Sequence, residues 1–199
     1  MLSCRTIVQN LTTTNNVKST ETAYQEIIDR CRDLFEKKNR DYGTSWRILR
    51  LPSITDQIYI KAQRIRTIQE KGVQKVEEGV AGEFIGIINY CVMALIQSDS
   101  SRPQGDLPPE ELVALYTRQT AAVKELLFNK NHDYGEAWRE MRVSSMTDII
   151  LMKLLRIKQI EENKGQTIVS EGVRSGYQDI INYSVFCLIK MEECGDVIM

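Results

Sequence analysis

Two carboxylates interrupt apolar stretches of the sequence where they could hold a metal ion. Glu83 lies in the apolar run 80–96, and Asp179 lies in a similar run near the end of the chain. A carboxylate in such a run needs a partner, because burying an unpaired charge costs free energy. Carboxylate oxygens are also the ligands that Mg²⁺ prefers, so both residues are candidates for catalysis and metal binding.

The two acids belong to an internal duplication. Residues 38–46 read KNRDYGTSW and residues 130–138 read KNHDYGEAW, which gives the shared pattern K-N-x-D-Y-G-x-x-W. The similarity continues beyond this pattern to residue 97, with roughly half of the positions identical once one inserted residue near Asn163 is allowed for. Identical apolar positions then indicate a shared core, and identical polar positions indicate a shared cap, turn or site.

The aligned copies differ at the two acids. Glu83 aligns with Gly176, and Gly86 aligns with Asp179. Superposed, the copies spell E-x-x-D, a spacing that puts two carboxylates on one helix face, where they can bind a divalent cation. We expect the two helices to meet across a pseudo-twofold axis and to share one acidic cluster. The alternative is drift in two decayed sites.

Two asparagines would flank this cluster. Asn89 and Asn182 repeat inside the same apolar helices, in the tetrapeptide IINY. A buried asparagine needs hydrogen bonds, so each either ties two helices together or contacts a ligand. Glu78 and Glu171 precede a glycine at the start of the same helices, where the helix dipole favours carboxylates; they are equally candidates for metal binding.

Cation pairs repeat on the helix before. Lys61 with Arg64, and Lys153 with Arg156, are three residues apart and so share a helix face. Lys153 interrupts an apolar run, which indicates a snorkelling side chain or an internal polar cleft. Such pairs suit a phosphate group or an acidic partner helix, and ordinary ion pairing explains them equally well.

The repeated K-N-x-D-Y-G-x-x-W stretches are interpreted as turns or as pocket walls. Aspartate and glycine supply turn chemistry, while the aromatic side chains pack. The pocket candidates are Asn39, Asp41, Tyr42, Trp46, Asn131, Asp133, Tyr134 and Trp138. Further on, Ser53 with Asp56 and Ser145 with Asp148 have the spacing of a capping box, so these aspartates are predicted to be helix caps.

Helices must position all of these residues. Apolar residues recur three and four apart, and neither copy shows strand alternation, so the fold class is all-α. We predict a flexible N-terminal arm (1–20), a first repeat (21–97), a linker (98–109) and a second repeat (110–194), packed as a pseudo-twofold helical bundle. A first helix is expected to be capped by Thr20 or Thr22 and to end near Asn39, and the second repeat is expected to have a matching helix. Further helices are expected at about 54–70, 76–97 and 169–193.

Composition narrows the function classes. The formal net charge is −1, so no global field favours duplex nucleic acid. The five cysteines form no metal-ligand cluster and His132 is the single histidine, so no zinc site is expected. The N-terminus lacks the features of a signal peptide, and the most apolar run is short and interrupted, so we expect no membrane span and a cytoplasmic location. Homo-oligomerisation is left open.

The combined motifs resemble a known family. K-N-x-D-Y-G-x-x-W, a T-D helix with K-x-x-R-I, then E-G and I-I-N-Y resemble the nucleotide modification associated domain, over about residues 35–96 and 127–191. The resemblance implies a role in phage or bacterial nucleotide metabolism. More distantly, the acids resemble those of MazG-like nucleoside triphosphate pyrophosphohydrolases, whose E-E-x-x-E and E-x-x-D helices hold Mg²⁺ against the triphosphate. Glu83 and Asp179 would each supply half of the second motif.

This chain departs from the MazG-like pattern in its first motif. Glu26 and Asp29 lie on the first helix, but the second copy has Arg118 and Ala121 at those positions. Two functions therefore remain. The protein either binds a small-molecule nucleotide and cleaves a pyrophosphate bond with Mg²⁺, or is a non-catalytic helical module that binds a nucleotide or a protein.

Overall fold

A computed structural model describes residues 18–72, 79–99, 105–168 and 171–195 of the protein, the side chains of 130–134 excepted. Over these ranges the chain forms six α-helices and no strand, which confirms the all-α prediction. The helices are α1 (Thr20–Tyr42), α2 (Leu51–Lys71), α3 (Val80–Gln97), α4 (Pro109–Tyr134), α5 (Val143–Glu162) and α6 (Val173–Glu193). Short 3₁₀ helices at Ser45–Ile48 and Ala137–Glu140 contain the two tryptophans.

The two repeats pack as a pseudo-twofold bundle with one core. Helices α1–α3 come from the first repeat and α4–α6 from the second. Each helix packs against its counterpart: α1 on α4, α2 on α5 and α3 on α6. The first helix of each repeat also packs on the last helix of the other, α1 on α6 and α4 on α3. These contacts join the repeats through their interiors.

Helix α3 runs through the middle of this core. Phe84, Ile87, Ile88 and Leu95 are fully buried, and their spacing places them together on one face of the helix. In the part of the chain that the structure describes, α3 is the one helix long and apolar enough to cross a membrane by length and composition. Core helices share that property, and most of α3 is buried inside the protein.

Two predicted capping boxes are wrong. Helix α2 begins at Leu51 and α5 at Val143, so Ser53 and Ser145 lie inside their helices, and neither helix has a side-chain N-cap hydrogen bond. In α2 a proline stands in the first turn, where its fixed φ and missing N–H suit a helix start, so the helix extends earlier than the box predicts. The aspartates that follow instead reach the opposite repeat: Asp56 pairs with Lys158 (2.6 Å) and Asp148 with Arg66 (3.9 Å).

Other helix ends also differ from the prediction. Ser19, rather than Thr20 or Thr22, caps α1 by accepting a hydrogen bond from the Thr22 N–H (3.2 Å). Helix α1 continues to Tyr42, because Gly43 with φ 61° is the residue that can end it. Helix α6 begins at Val173, later than predicted; the predicted start of α3 near Val76, like Glu78, falls outside the described residues.

Candidate functional site

An open groove lies in the second repeat between α5 and the N-terminus of α6. Its volume is about 340 Å³. Four residues that the sequence singled out line it together, two cations and two carboxylates: Lys153, Arg156, Glu171 and Asp179. The remaining lining residues are apolar or small: Ile157, Ile160, Gly172, Ser175 and Gly176. The groove therefore combines both predicted kinds of residue, the cation pair and the acids.

The two cations of the groove are used differently. Lys153 Nζ lies 2.6 Å from Asp179 Oδ2 in a half-buried ion pair, so its charge is largely compensated. Arg156 is exposed and makes neither an ion pair nor a hydrogen bond to any residue that the structure describes. One guanidinium therefore faces the groove without an anionic partner among the described residues.

The first repeat arranges the aligned residues in another way. Lys61 and Arg64 both contact Glu83, whose side chain is 4% exposed. Lys61 Nζ donates to Oε2 at 3.1 Å, and Arg64 Nη1 donates to Oε1. Both carboxylate oxygens of Glu83 therefore accept from cations of its own repeat.

A glycine present in one repeat and absent from the other explains why Lys61 and Lys153 extend in different directions. The stem of Lys61 lies across Gly86, where an added Cβ would come within 2.9 Å of Lys61 Cε. In the second repeat Asp179 occupies the aligned position, so this route is blocked and Lys153 ends on Asp179 instead. Gly176, aligned with Glu83, lies under the side chain of Ile157 and offers Arg156 no carboxylate.

These contacts bear on the predicted shared acidic cluster. The structure gives Glu83 and Asp179 separate cation partners, each from the acid's own repeat. Across the described ranges no group of three or more histidine, cysteine, aspartate or glutamate residues is arranged to hold a metal ion. Sequence spacing cannot predict these cation partners, because it does not fix how α2 is rotated against α3.

The repeated asparagines are ties between helices of different repeats. Tyr24 Oη in α1 donates to Asn182 Oδ1 in α6 (2.8 Å), and Tyr116 Oη in α4 donates to Asn89 Oδ1 in α3 (2.8 Å). Asn89 Nδ2 also donates to the carbonyl of Cys31 (3.1 Å). Burial raises the pKa of both tyrosines. The asparagines therefore act as inter-helix ties, one of the two interpretations that their sequence positions allow, and their predicted place in a pocket wall has no support.

The first Asp-Tyr-Gly stretch forms a helix end more than a site. Asp41 and Tyr42 are exposed in the last turn of α1. Asn39 donates to the carbonyl of Phe35 (2.7 Å) and accepts from Trp46 Nε1 (3.3 Å), which packs Trp46 against the helix. Asn39 also lines a cavity of about 660 Å³ between this helix end and the start of α4, and its role in a binding pocket stays a prediction.

The second stretch is described in part. Trp138 is buried and stacks on Phe186 with 4.3 Å between ring centroids. The side chains of Asn131, Asp133 and Tyr134 lie outside the described residues, so their place in a pocket wall stays a prediction. Cys31, Cys91 and Cys187 are buried free thiols, as their place in apolar patterns predicts.

A partly buried polar triad, which the sequence did not predict, joins α2, α5 and α6. Thr55 Oγ1 lies 2.7 Å from Tyr177 Oη, and both hydroxyls contact Glu161 Oε1 (2.8 and 3.3 Å). Burial raises the pKa of Glu161, and the two hydrogen bonds oppose that rise. The signal was available, since the first repeat has Gln69 and Phe84 at the positions of Glu161 and Tyr177.

Comparison with known proteins identifies the family. No curated protein and no solved structure is significantly similar to the chain, so the more distant MazG-like resemblance gains no support. The family model of the nucleotide modification associated domain 1 matches twice, over residues 38–98 and 130–191. The two segments cover more than half of the chain and follow the two structural repeats. The chain therefore belongs to the nucleotide modification associated domain 1 family and carries that domain in tandem.

Proposed function

We propose that the protein binds a nucleotide and that the groove between α5 and α6 takes its phosphates. The observation that carries the proposal is Arg156, a groove-lining guanidinium without an anion among the described residues. A guanidinium presents a planar fork of donors that matches phosphate oxygens in a bidentate manner. Lys153 lies in the same groove and adds a second cation once a stronger anion competes with Asp179.

The surroundings of Arg156 suit an anion. Gly172, Ser175 and Gly176 line the groove at the first turn of α6, a helix whose N-cap makes no side-chain hydrogen bond. The first N–H groups of a helix lack intrahelical partners and carry partial positive charge, so they favour phosphate. The family description ties this domain to nucleotide modification, which favours a nucleotide over other phosphate compounds.

Removing the guanidinium should weaken phosphate binding. We expect Arg156→Met to lower the affinity for tripolyphosphate and for deoxynucleoside triphosphates at least tenfold, about 1.4 kcal/mol. Isothermal titration calorimetry measures this directly. Lys37→Met is the matched control, because Lys37 is an exposed cation on α1 that pairs with Asp33 (2.7 Å) and should not affect binding. Equal affinities of the wild type and Arg156→Met, or no binding by either, would refute the proposal.

A second function, Mg²⁺-dependent pyrophosphate cleavage of a nucleotide, is favoured by one further observation. Glu171 and Asp179 line the same groove as the two cations. Mg²⁺ is commonly bound by one or two carboxylates together with substrate phosphates, where it polarises a phosphoryl oxygen and orients water. Glu83 fits this role poorly, since both of its oxygens already accept from cations. In this function Glu171 and Asp179 would hold the metal, while Lys153 and Arg156 orient the phosphates.

A turnover assay separates the enzyme from the binding protein. The full chain is incubated with canonical and modified deoxynucleoside triphosphates plus Mg²⁺, and pyrophosphate release is followed. Turnover that Glu171→Gln and Asp179→Asn each reduce by about a hundredfold or more, a loss typical of a removed catalytic group, supports the enzyme. No turnover, together with a nucleotide-dependent rise in Tm, supports binding without catalysis.

A further inference from the structure

Glu83 occupies the position in the first repeat where the proposed function places a phosphate in the second. Its carboxylate lies between Lys61 and Arg64, which align with Lys153 and Arg156. We infer that the first repeat holds a latent phosphate site whose occupant is the Glu83 carboxylate itself, so that one chain takes one phosphate-bearing ligand rather than two. This inference rests on the proposed function of the groove.

The geometry of Glu83 is that of a bound anion. Each of its oxygens accepts from a different cation, Oε2 from Lys61 and Oε1 from Arg64. Glu83 is 3% exposed, although it lies in the first turn of α3. A carboxylate and a phosphate offer cations the same kind of acceptor, and a carboxylate tethered to the site needs no association step. An external anion therefore competes poorly with Glu83.

The second repeat shows the same cation pair without this occupant. Gly176 replaces Glu83, so no side chain from that position reaches Arg156. Asp179 lies one helical turn later and pairs with Lys153, leaving Arg156 at the groove. One exchange of acid and glycine between the repeats thus closes one site and opens the other.

An ordinary structural ion pair makes a different prediction from a latent site. If Glu83 only stabilises the contact of α2 with α3, its removal lowers stability and leaves ligand stoichiometry unchanged. If Glu83 is a built-in occupant, its removal creates a second binding site. Stoichiometry therefore distinguishes the two, and a loss of stability alone does not.

The test is calorimetric titration of the full chain with tripolyphosphate. We expect one site in the wild type, two sites in Glu83→Ala, and one again in Glu83→Asp, which keeps the carboxylate. Adding Arg64→Met to Glu83→Ala should remove the new site. A stoichiometry of one in folded Glu83→Ala overturns the inference while leaving the proposed function intact. No binding by the wild type overturns the proposed function itself.

The reverse exchange keeps the inference testable if Glu83→Ala does not fold. Gly176→Glu should supply a carboxylate to Arg156 and reduce tripolyphosphate binding at least tenfold, whereas Gly176→Ala should retain it. Both variants push against the buried side chain of Ile157, since a Cβ at Gly176 would lie 2.9 Å from its Cδ1 and from its Cγ1. Gly176→Ala therefore controls for sterics. Unchanged binding by Gly176→Glu, or equal loss in both variants, contradicts the inference.

Discussion

Glu161 is a carboxylate held by two hydroxyl groups where α2, α5 and α6 meet. Thr55 and Tyr177 both donate to its Oε1, and the side chain is half-buried. Burial is the largest influence and raises the pKa of Glu161, with the hydrogen bonds working against it. Protonation is therefore favoured in the folded state relative to the unfolded chain.

This raised pKa should make stability fall as the pH rises. The folded state binds a proton more tightly than the unfolded state does. The stabilising contribution of Glu161 to the free energy of unfolding is therefore complete below the pKa that Glu161 has in the unfolded chain. It is lost as the pH rises through the pKa that Glu161 has in the folded protein. Glu161→Gln should remove this dependence, because an amide does not titrate and Gln69 already serves the aligned place, donating to Thr147 (3.1 Å).

Urea unfolding at a series of pH values between about 4 and 8, around the glutamate range, measures this effect. The free energy of unfolding of Glu161→Gln relative to the wild type should rise with pH across that window. Glu70→Gln is the control, because Glu70 is an exposed member of a surface pair with Arg66. A difference between Glu161→Gln and the wild type that stays constant with pH contradicts the expectation.

At the scale of helices, the spacing of apolar residues predicts which segments are helical but not where the helices begin. Helix α2 starts at Leu51 rather than at the predicted box, since proline in the first turn favours an earlier start without any side-chain cap. Gly72 correctly predicted the end of α2, because glycine freely adopts the φ of 63° that this helix end requires. Local chemistry is thus informative where one residue type is nearly obligatory, and weak where several caps compete.

The groove shows the same limit on a larger scale. Its cation pair was predictable, because Lys153 interrupts an apolar run and Arg156 shares its face. The pairing of Lys61 and Arg64 with Glu83 was not predictable, because it joins α2 to α3 and depends on how the two helices are rotated. Comparison of the repeats singled out Glu83 and Asp179 and predicted a shared cluster, whereas the contacts of each acid with the cations of its own repeat appear only in the structure.

At the scale of the whole molecule, contacts between the first helix of one repeat and the last helix of the other join the repeats into one unit. Helix α1 packs on α6 and α4 on α3, and each contact contains a buried tyrosine–asparagine hydrogen bond. Neither repeat can expose its first helix without also exposing the last helix of the other. We therefore expect both repeats to unfold in a single cooperative transition.

The two tryptophans provide a probe in each repeat. Trp46 follows α1 and Trp138 follows α4, and both are buried. Trp46→Phe and Trp138→Phe each leave one probe, and Tyr24→Phe can be added to either background. Tyr24→Phe deprives the buried Asn182 oxygen of its donor, which should cost about 1–3 kcal/mol.

Because Tyr24 joins α1 to α6, Tyr24→Phe should lower the urea midpoint by the same amount whether the fluorescence of Trp46 or of Trp138 is followed. Each midpoint is compared with that of the single-tryptophan variant in which Tyr24 is retained. Independent repeats would give two midpoints, with a shift in one of them only. Tyr42→Phe is the matched control, since Tyr42 is 71% exposed and its change should shift neither probe. Coincident transitions that shift together would mean that the duplication has fused two helical units into one cooperative fold.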